Sequence, residues 1–142
     1  MEQRVSLITI GVSDMDRAAA FYEKMGWQRV QSPDDVIAFD LIGQTLGLYP
    51  LDRLADEMGL TAGDLGQGAL TLSHNCHSEE DVRTILEDAR SAGADILKEA
   101  QPVFWGGFHG YFRAPGNTIW EVAYNPFSML GPTGEFRWNG YG

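Results

Sequence analysis

An internal repeat restricts the fold of this chain more than any other feature of its sequence. The pattern of residues 8–25 returns 64 residues later, at residues 72–89. In each copy a strand-like run ends at Val12 or Cys76 and leads into a stretch with apolar residues at i, i+3, i+4 and i+7, the stripe of a helix lying on a sheet. The stripe comprises Ala18, Phe21, Tyr22 and Met25 in the first copy, and Val82, Ile85, Leu86 and Ala89 in the second. The chain is therefore predicted to contain two copies of one module, with its functional side chains in the groove between them.

The first copy is predicted to be a β-α-β-β-β module. Its helix is expected to be capped by Ser13 or Asp14, whose side chains accept hydrogen bonds from the unpaired N–H groups of a helix start. It is expected to end before Gly26, because glycine tolerates the left-handed backbone that follows a helix. The predicted strands are residues 5–12, 27–31, 36–41 and 44–49. A short helix at 51–58 and a glycine-containing connection up to residue 68 follow.

The second copy shows the same order of elements. Ser78 is the predicted N-cap of a helix over residues 79–92, and Gly93 follows its end. The predicted strands are residues 69–76, 95–100, 108–113 and 118–125. Between the last two strands, the sequence Pro115-Gly116-Asn117 is typical of a type II turn, in which glycine takes the positive φ that other residues avoid.

The whole chain is expected to form one α+β domain. A chain of 142 residues buries roughly two-thirds of its unfolded surface without the help of disulfides. Module one is assigned to about residues 4–50, the linker with the short helix to 51–68, module two to about 69–125, and an aromatic C-terminal segment to 126–142. That segment, with Phe136, Trp138 and Tyr141, is too aromatic for a free tail. It is expected to pack on its own domain or on another subunit, and a homodimer is predicted.

The charge of the chain limits its partners. With 20 acidic and 10 basic residues the net charge is −10. This charge disfavours binding to nucleic acid and anionic membranes and favours a cationic or neutral small molecule. Alternatively, the acidity only maintains solubility.

The lone Cys76 cannot form an internal disulfide and is expected to be a buried, unreactive thiol. Residues 1–12 lack the apolar core of a secretory signal, and no run reaches the ~18 apolar residues of a membrane span. A cytoplasmic protein is the expectation.

Two stretches connect these modules to a known family. The first runs from Ile10 to Tyr22 with Gly26 after it, and the second runs from Pro115 to Val122. They resemble the first strand, the helix with a Phe-Tyr pair, the proline-glycine turn and the closing strand of the vicinal oxygen chelate superfamily, which includes glyoxalase, extradiol dioxygenases, and bleomycin and fosfomycin resistance proteins. The resemblance covers residues 4–125 and implies a glyoxalase-like fold, with two β-α-β-β-β modules forming a curved mixed sheet around a groove. Such folds host many unrelated activities, so function has to be argued from the site.

The resemblance also implies four metal-ligand positions on four strands, which commonly carry two histidines and two carboxylate-type ligands in the metal-dependent members. In this chain those positions hold Leu7, Gly47, Thr71 and Glu121. Leucine and glycine offer no side-chain donor, and the hydroxyl of threonine is a poor neutral ligand. Only Glu121 remains, as a weak candidate metal ligand. The sequence therefore predicts no metal cofactor, and a divalent metal ion held by a rearranged set of ligands is the alternative.

The three histidines could supply such a set. His74 is predicted on the helix-facing side of its strand, at the core or its boundary, and His77 at the solvated corner before the helix. His109 lies in the glycine-rich and aromatic stretch from Trp105 to Tyr111, where glycines allow an unusual loop path. This stretch is expected to form a lid or wall of the groove, with His109 and Tyr111 as hydrogen-bonding or proton-transfer groups. Alternatively, it is a structural turn with aromatic rings packed beneath it.

Glu121 needs a partner if its carboxylate enters the groove, because a partly buried charge is costly when unpaired. A cationic ligand group, Arg113 or protonation would meet that need, as would hydrogen bonds from neighbouring groups. Strand alternation places further side chains on the same groove surface. They are Thr9, Tyr49, Thr71, Ser73, Asn75, Ile119 and Ala123. This mixed polar and apolar lining is typical of a site for a small organic ligand.

Three functions are consistent with these residues. The first is a metal-free protein, similar to the resistance proteins, that binds a small cationic or aromatic ligand in the groove. Its predicted ligand-binding residues are Thr9, Tyr49, Thr71, Ser73, Trp105, His109, Tyr111 and Glu121. The second is a metal-dependent lyase, isomerase or dioxygenase, with Glu121, His109 and Tyr111 as catalytic candidates. The third is an interaction module with a vestigial pocket, suggested by the aromatic C-terminal segment.

Overall fold

The repeat appears in the computed structural model as two sheets built on one plan. The strands of the first sheet lie in the order β1 (Leu7–Val12), β3 (Thr45–Pro50) and β2 (Ile37–Asp40). Those of the second lie in the order β4 (Thr71–Cys76), β7 (Ile119–Tyr124), β6 (Phe108–Arg113) and β5 (Asp95–Pro102). In each sheet the first strand pairs in parallel with the last strand of its module, and the other pairs are antiparallel. The predicted α+β class with two tandem modules is confirmed.

The structure describes residues 1, 3, 5–66 and 70–141. The chain divides into two units, the first comprising Met1–Ala69 and Pro115–Asn117 and the second comprising Leu70–Ala114 and Thr118–Gly142. Each unit contains one of the two sheets. The predicted module starts at residues 4 and 69, the glycine at 68 and the final residue 142 lie outside the described residues.

The two long helices begin and end at the residues that the sequence specifies. α1 (Met15–Lys24) is capped by Asp14, whose carboxylate accepts a hydrogen bond of 3.0 Å from a backbone N–H of the first turn. α3 (Glu79–Ser91) is capped by Ser78, whose hydroxyl accepts a corresponding bond of 3.1 Å. The glycine that follows each helix has a positive φ. These predictions are confirmed because caps and glycine stops act locally.

The connection between the modules is partly helical. It contains α2 (Leu51–Glu57) and a 3-10 helix at Ala62–Asp64. α2 packs on the first sheet beside Gly11, where an added Cβ would lie 2.9 Å from the side chain of Leu51. Glycine at this position therefore allows the helix to approach the strand closely. In the described part of the chain, no helix has the length and apolarity needed to cross a membrane.

Each unit has an apolar core between its helix and its sheet. In the first unit α1 buries Phe21 and Tyr22. In the second unit α3 buries Val82 and Leu86, and a fully buried side chain of this size contributes about 1.5–3 kcal/mol to the free energy of unfolding. The strand residues that α3 covers include Phe108, Phe112, Trp120 and Val122, all of them buried.

The two sheets also share their strand register. Thr9 lies opposite Gly47 in the first sheet, and Ser73 lies opposite Glu121 in the second. Thr9 and Ser73 occupy equivalent positions of the internal repeat, 64 residues apart. Gly47 and Glu121 are therefore equivalent positions on equivalent strands, and one has no side chain where the other has a carboxylate.

One predicted strand does not form. Residues 27–31 make only a single bridge, in which the N–H of Val30 donates to the carbonyl of Ala38 at 2.9 Å. Trp27 packs at the border of the core instead, half-buried, with its ring stacked on Tyr22 at 4.9 Å and against Phe39 at 5.7 Å between centroids. The contacts of this ring and the single bridge, rather than a strand ladder, hold the segment in place. Among the described residues the first sheet accordingly has three strands and the second has four.

The aromatic C-terminal segment folds back on itself in the second unit. The buried hydroxyl of Ser128 donates to the carbonyl of Trp138, and the N–H of Tyr141 donates to the carbonyl of Met129 at 2.9 Å. Most of its large apolar side chains are nevertheless exposed: Phe127, Met129, Phe136 and Trp138. The backbone is thus held within its own unit, while the rings form an exposed apolar surface.

Candidate functional site

Five side chains meet on one face of the second sheet and are named here the Glu121 cluster. They are Ser73, Lys98, His109, Tyr111 and Glu121. They come from β4, β5, β6 and β7 and occupy the face opposite α3, which we call the polar face. Because side chains of a strand alternate between faces, the apolar neighbours of these residues form the core on the other side.

Glu121 is the centre of the cluster. Its Oε2 accepts hydrogen bonds from Nδ1 of His109 at 2.8 Å and from the hydroxyl of Tyr111 at 2.9 Å. Its Oε1 accepts from the hydroxyl of Ser73 at 3.1 Å. Neighbouring groups thus satisfy the carboxylate, as one of the sequence alternatives predicts, and Arg113 is not among the donors found in the described residues. The Glu121 side chain is still 23% exposed, so a molecule on the polar face can reach it.

His109 is held on both sides of its ring. The ammonium of Lys98 lies 3.5 Å from Nε2, and a lysine ammonium can only donate a hydrogen bond. Nε2 must therefore accept, which assigns the proton to Nδ1, the nitrogen that donates to Glu121. With only 9% of its side chain exposed, the ring is fixed in one orientation and one tautomer.

Tyr111 acts as a donor in the cluster. Burial and the hydrogen bond to the Glu121 carboxylate raise the pKa of Tyr111 above its ordinary value. Its hydroxyl therefore stays protonated at neutral pH. It helps to orient the carboxylate and leaves its own oxygen lone pairs able to accept a further hydrogen bond.

The glycine-rich stretch places Trp105 beside the cluster. The indole meets His109 edge to face, with ring centroids 6.3 Å apart. It lies over Gly107, where an added Cβ would be 1.9 Å from the ring, so any other residue at that position would displace the indole. Tyr111 meets His109 at 5.1 Å, also edge to face. Trp105 and Tyr111 thus form aromatic walls beside the imidazole.

A β-bulge brings Lys98 into the cluster. In a regular ladder, the pair of Ile96 and Phe112 would be followed by Leu97 opposite Tyr111. Lys98 lies opposite Tyr111 instead, because β5 contains one extra residue at this point. The bulge moves Lys98 from the helix-facing side to the polar face. Strict alternation does not find Lys98, and the only signal in the sequence is a charged residue at a position that should face the helix.

Three other predicted site residues are not part of the cluster. Thr71 lies on the polar face two residues before Ser73, but its hydroxyl makes none of the hydrogen bonds described above. Thr9 and Tyr49 belong to the first unit. The hydroxyl of Tyr49 donates to Glu57 of α2 at 2.6 Å, and this hydrogen bond raises the pKa of Tyr49. The phenol of Tyr49 is thus engaged within its own unit.

The remaining histidines and the cysteine lie at the end of β4. His74 lies at the boundary of the core rather than inside it, because β4 is an edge strand that leaves part of the side chain exposed. Partial burial of the imidazole still lowers its pKa. His77 is exposed at the corner before α3, as predicted. Cys76 is buried, and burial raises the pKa of its thiol to about 12.

The Glu121 cluster fits a metal ion poorly. Both oxygens of Glu121 already accept hydrogen bonds, and the second nitrogen of His109 faces the ammonium of Lys98, whose charge repels a cation. Across residues 5–66 and 70–141, no three His, Cys, Asp or Glu side chains are grouped so that they could hold a metal ion. A metal-assisted step therefore has no support in this donor set.

An open cavity of about 440 Å³ lies in the first unit. It is lined by the start of α1, residues 29–37 and Pro50, and by none of the predicted site residues. Two of its charged groups have partners within the protein, since Arg29 pairs with Glu23, and Asp35 pairs with Arg53 at 3.0 Å. The Glu121 cluster, which combines ionisable groups with aromatic walls, is therefore the candidate functional site.

Known proteins of one family are similar to this chain along most of its length. The family model for the Glyoxalase/Bleomycin resistance protein/Dioxygenase superfamily matches residues 4–122. Lactoylglutathione lyase GLX1 of Arabidopsis thaliana is 25% identical over 130 residues, which cover 87% of this chain and 43% of that protein. A putative lactoylglutathione lyase of Brassica oleracea var. gemmifera is 26% identical over 140 residues, which cover 94% and 47%. The chain thus spans about half the length of the curated relatives it matches.

A solved structure extends this similarity to the whole chain. The crystal structure of a glyoxalase-related enzyme from Fulvimarina pelagi is 30% identical in sequence and superimposes with a TM-score of 0.89. The superposition covers 98% of this chain and 100% of the other. The likeness therefore includes the aromatic C-terminal segment as well as both sheets.

Proposed function

This chain belongs to the glyoxalase/bleomycin resistance protein/dioxygenase superfamily, and we propose that it is a metal-free protein that binds a small organic ligand at the Glu121 cluster. The cytoplasmic location and the homodimeric state expected from the sequence are part of this proposal. The observation that carries it is the carboxylate of Glu121, which accepts three side-chain hydrogen bonds and is still partly exposed on the polar face.

Hydrogen bonds within the protein itself organise the cluster. Glu121 orients His109 and Tyr111, so these side chains have little freedom left to lose on binding. Ordering a flexible side chain at an interface costs about 0.5–1.5 kcal/mol, and a site that is already ordered avoids this cost. The aromatic walls of Trp105 and Tyr111 add flat contact area, and a few fixed polar groups among such walls are typical of small-molecule sites.

A purely structural role accounts less well for the cluster. The core of the second unit lies on the other side of the sheet, against α3, and its burial does not depend on charges on the polar face. Charged networks that are buried are often no more stabilising than apolar side chains of similar size. Recognition of another molecule explains why a carboxylate, an imidazole, an ammonium and two hydroxyls are collected on one surface.

A ligand screen tests the proposal. Ligand at 100 times its Kd stabilises a protein by about 2.7 kcal/mol, so thermal unfolding is measured against a library of small aromatic, anionic and cationic metabolites. Hits are repeated with Trp105→Ala, and Trp138→Ala is the matched control because Trp138 is 83% exposed in the C-terminal segment. We expect hits that Trp105→Ala loses and Trp138→Ala keeps. A library without hits, or hits that persist in both variants, would contradict the proposal.

The second candidate function is a metal-dependent lyase, isomerase or dioxygenase, which the names of the lactoylglutathione lyase relatives favour. Metal analysis of protein purified without chelator tests it, with Glu121→Gln as the variant and Glu87→Gln, an exposed glutamate of α3, as the control. We expect no stoichiometric metal in any of the three proteins. A stoichiometric ion that disappears only in Glu121→Gln would replace the binding proposal with a catalytic one.

A further inference from the structure

We propose that Lys98 makes the Glu121 cluster selective for aromatic oxyanions, which are small flat molecules that carry a carboxylate, a phosphate or a similar negatively charged oxygen group. This inference rests on the proposed function and specifies the ligand. The anionic oxygens meet the ammonium of Lys98, and the ring of the ligand lies against Trp105 and Tyr111.

No carboxylate of the described residues compensates the charge of Lys98. Within the described ranges no carboxylate pairs with its ammonium, although the chain has twice as many acidic as basic residues. Four arginines do form such pairs: Arg29, Arg53, Arg83 and Arg90. The contact of Lys98 with Nε2 of His109 uses one of three N–H donors. Because the side chain is exposed, the other two donors are accessible to a ligand.

The backbone of β5 sets the direction of the Lys98 side chain. Two single-residue bulges flank it, one between Ile96 and Lys98 and one between Lys98 and Gln101. Bulges re-aim side chains and occur frequently next to functional sites. On the neighbouring strand Gly110 accommodates the bulged backbone, since an added Cβ would lie 2.7 Å from the carbonyl oxygen of Lys98. Features of both strands therefore contribute to placing this ammonium on the polar face.

The local charges favour an anion although the whole chain carries a net charge of −10. Remote charges are screened within about 8–10 Å at physiological salt, whereas an ammonium in contact with an anion forms a strong, charge-assisted hydrogen bond. The carboxylate of Glu121 lies on the opposite nitrogen of His109 and already accepts three hydrogen bonds. A cationic group on the Lys98 side of the imidazole would meet the ammonium at close range, where like charges repel.

The aromatic side chains beside the Lys98 ammonium are the reason to expect an aromatic ring in the ligand. Trp105 and Tyr111 are both half-buried and both meet His109 edge to face. Aromatic rings pair best in edge-to-face or offset arrangements, and half-buried rings have surface left for such a contact. A ring and an oxyanion on one small molecule match both features of the site.

The lysine content of the chain makes a direct test possible. Lys24 and Lys98 are its two lysines, so NMR of lysine-labelled protein reports on each ammonium separately, while the indole signals report on Trp105. Four probes that share a benzene ring are titrated at millimolar concentration: benzoate, phenyl phosphate, benzamide and benzylamine. They separate the effects of an anionic, a neutral and a cationic substituent.

We expect benzoate, phenyl phosphate or both to shift the signals of Lys98 and Trp105 but not those of Lys24. These anions should bind about tenfold more tightly than benzamide or benzylamine. Lys98→Met should remove this preference, Lys98→Arg should retain it, and Lys24→Met should behave like the unmodified protein. The tighter of the two anions shows whether the site prefers a carboxylate or a phosphate.

Two results would overturn the inference. The first leaves the proposed function intact, and the second contradicts it as well. If benzamide or benzylamine shifts Trp105 as strongly as the anions do, or if Lys98→Met keeps the preference for anions, then Lys98 does not select the ligand, and the proposed binding site still stands. If none of the four probes shifts the signals of Trp105 or Tyr111, the inference and the proposed function both fail at this site.

Discussion

At the scale of single residues, the tautomer of His109 is a direct signature of the Glu121 cluster. Lys98 and Glu121 together require the proton on Nδ1, whereas an unconstrained neutral histidine side chain can carry it on either nitrogen. Nitrogen-15 NMR should therefore show the proton of the neutral imidazole on Nδ1. In Lys98→Met the bond to Glu121 should preserve this tautomer, but in Lys98→Glu a new acceptor faces Nε2, and the proton should no longer be confined to Nδ1. Lys24→Glu is the control, and protonated Nε2 in the unmodified protein would contradict the assigned geometry.

Tyr111 should make the stability of the protein depend on pH in the alkaline range. Burial and the bond to Glu121 raise its folded-state pKa, so the folded protein keeps the phenolic proton where the unfolded chain releases it, near pH ~10. This contribution to stability is full below that pH and is lost as the pH rises through the folded-state pKa. Urea unfolding should show that Tyr111→Phe costs about 1 kcal/mol at neutral pH and less at strongly alkaline pH.

A double-mutant cycle separates the carboxylate from burial as the cause of this dependence. In a Glu121→Gln background, Tyr111→Phe should cost less and its cost should vary less with pH, because the acceptor that binds the phenol has lost its charge. If Tyr111→Phe costs the same at neutral and strongly alkaline pH in the otherwise unmodified protein, the hydrogen bond between Tyr111 and Glu121 does not stabilise the fold.

Cys76 should be unreactive as long as the protein is folded. Burial raises the pKa of its thiol to about 12, and the thiolate is the form that attacks disulfide reagents. At mildly alkaline pH, labelling by such a reagent should therefore be no faster than unfolding, and in denaturant it should be immediate. Rapid labelling of the folded protein would show that the side chain is accessible and would contradict its burial.

At the scale of elements, Gly110 is a position where β6 lies close to both α3 and β5. An added Cβ would lie 2.4 Å from Cδ1 of Leu86 and 2.7 Å from the carbonyl oxygen of Lys98. Gly110→Ala should therefore push these elements apart and lower the free energy of unfolding by about 1–3 kcal/mol, as measured by urea unfolding. Gly63→Ala is the matched control, since its Cβ would meet only Oγ1 of Thr61, at 3.9 Å. Equal effects of the two substitutions would contradict the close packing at Gly110.

The elements differ in how far a sequence can predict them. The limits of α1 and α3 follow from caps, glycine stops and an apolar stripe, which are all contained within a few neighbouring residues. Residues 27–31 have the composition of a strand, but a strand needs a partner along its whole length. The ring of Trp27 packs against Tyr22 and Phe39 instead, and the segment forms a single bridge. That choice is made by tertiary packing, which no local pattern contains.

The same distinction applies to the members of the site. Glu121 and Tyr111 can be grouped from the sequence, because alternation within regular strands places them on one face. Lys98 cannot be grouped with them, because a bulge reverses the side of the residues that follow it up to the next bulge. Tyr49 can be assigned to a face, but the contact of its hydroxyl with Glu57 depends on how α2 docks on the first sheet.

At the scale of the whole molecule, the exposed rings of the C-terminal segment favour association of two copies. Phe136 and Trp138 are 47% and 83% exposed, and exposed apolar surface of this kind commonly marks a contact between proteins. Two copies that each carry a net charge of −10 repel one another, and salt screens that repulsion. Sedimentation velocity should therefore show a dimer that becomes more stable as the salt concentration rises.

Substitution of the two rings locates the contact. The double variant Phe136→Ser with Trp138→Ser should dissociate at protein concentrations where the unmodified chain is dimeric. Ile42→Ser is the control, because Ile42 is a similarly exposed apolar residue, at 57%, in the first unit. An unmodified chain that is monomeric at every salt concentration would rule out the dimer. A double variant that still dimerises would place the contact elsewhere.

The common register of the two sheets has a consequence for how this protein can change. Gly47 occupies the position in the first sheet that Glu121 occupies in the second. A Cβ added at Gly47 would contact only Leu7, at the ordinary distance of 3.5 Å. The first sheet therefore repeats the backbone of the second without its carboxylate, and side-chain substitutions alone could place a second acidic group there.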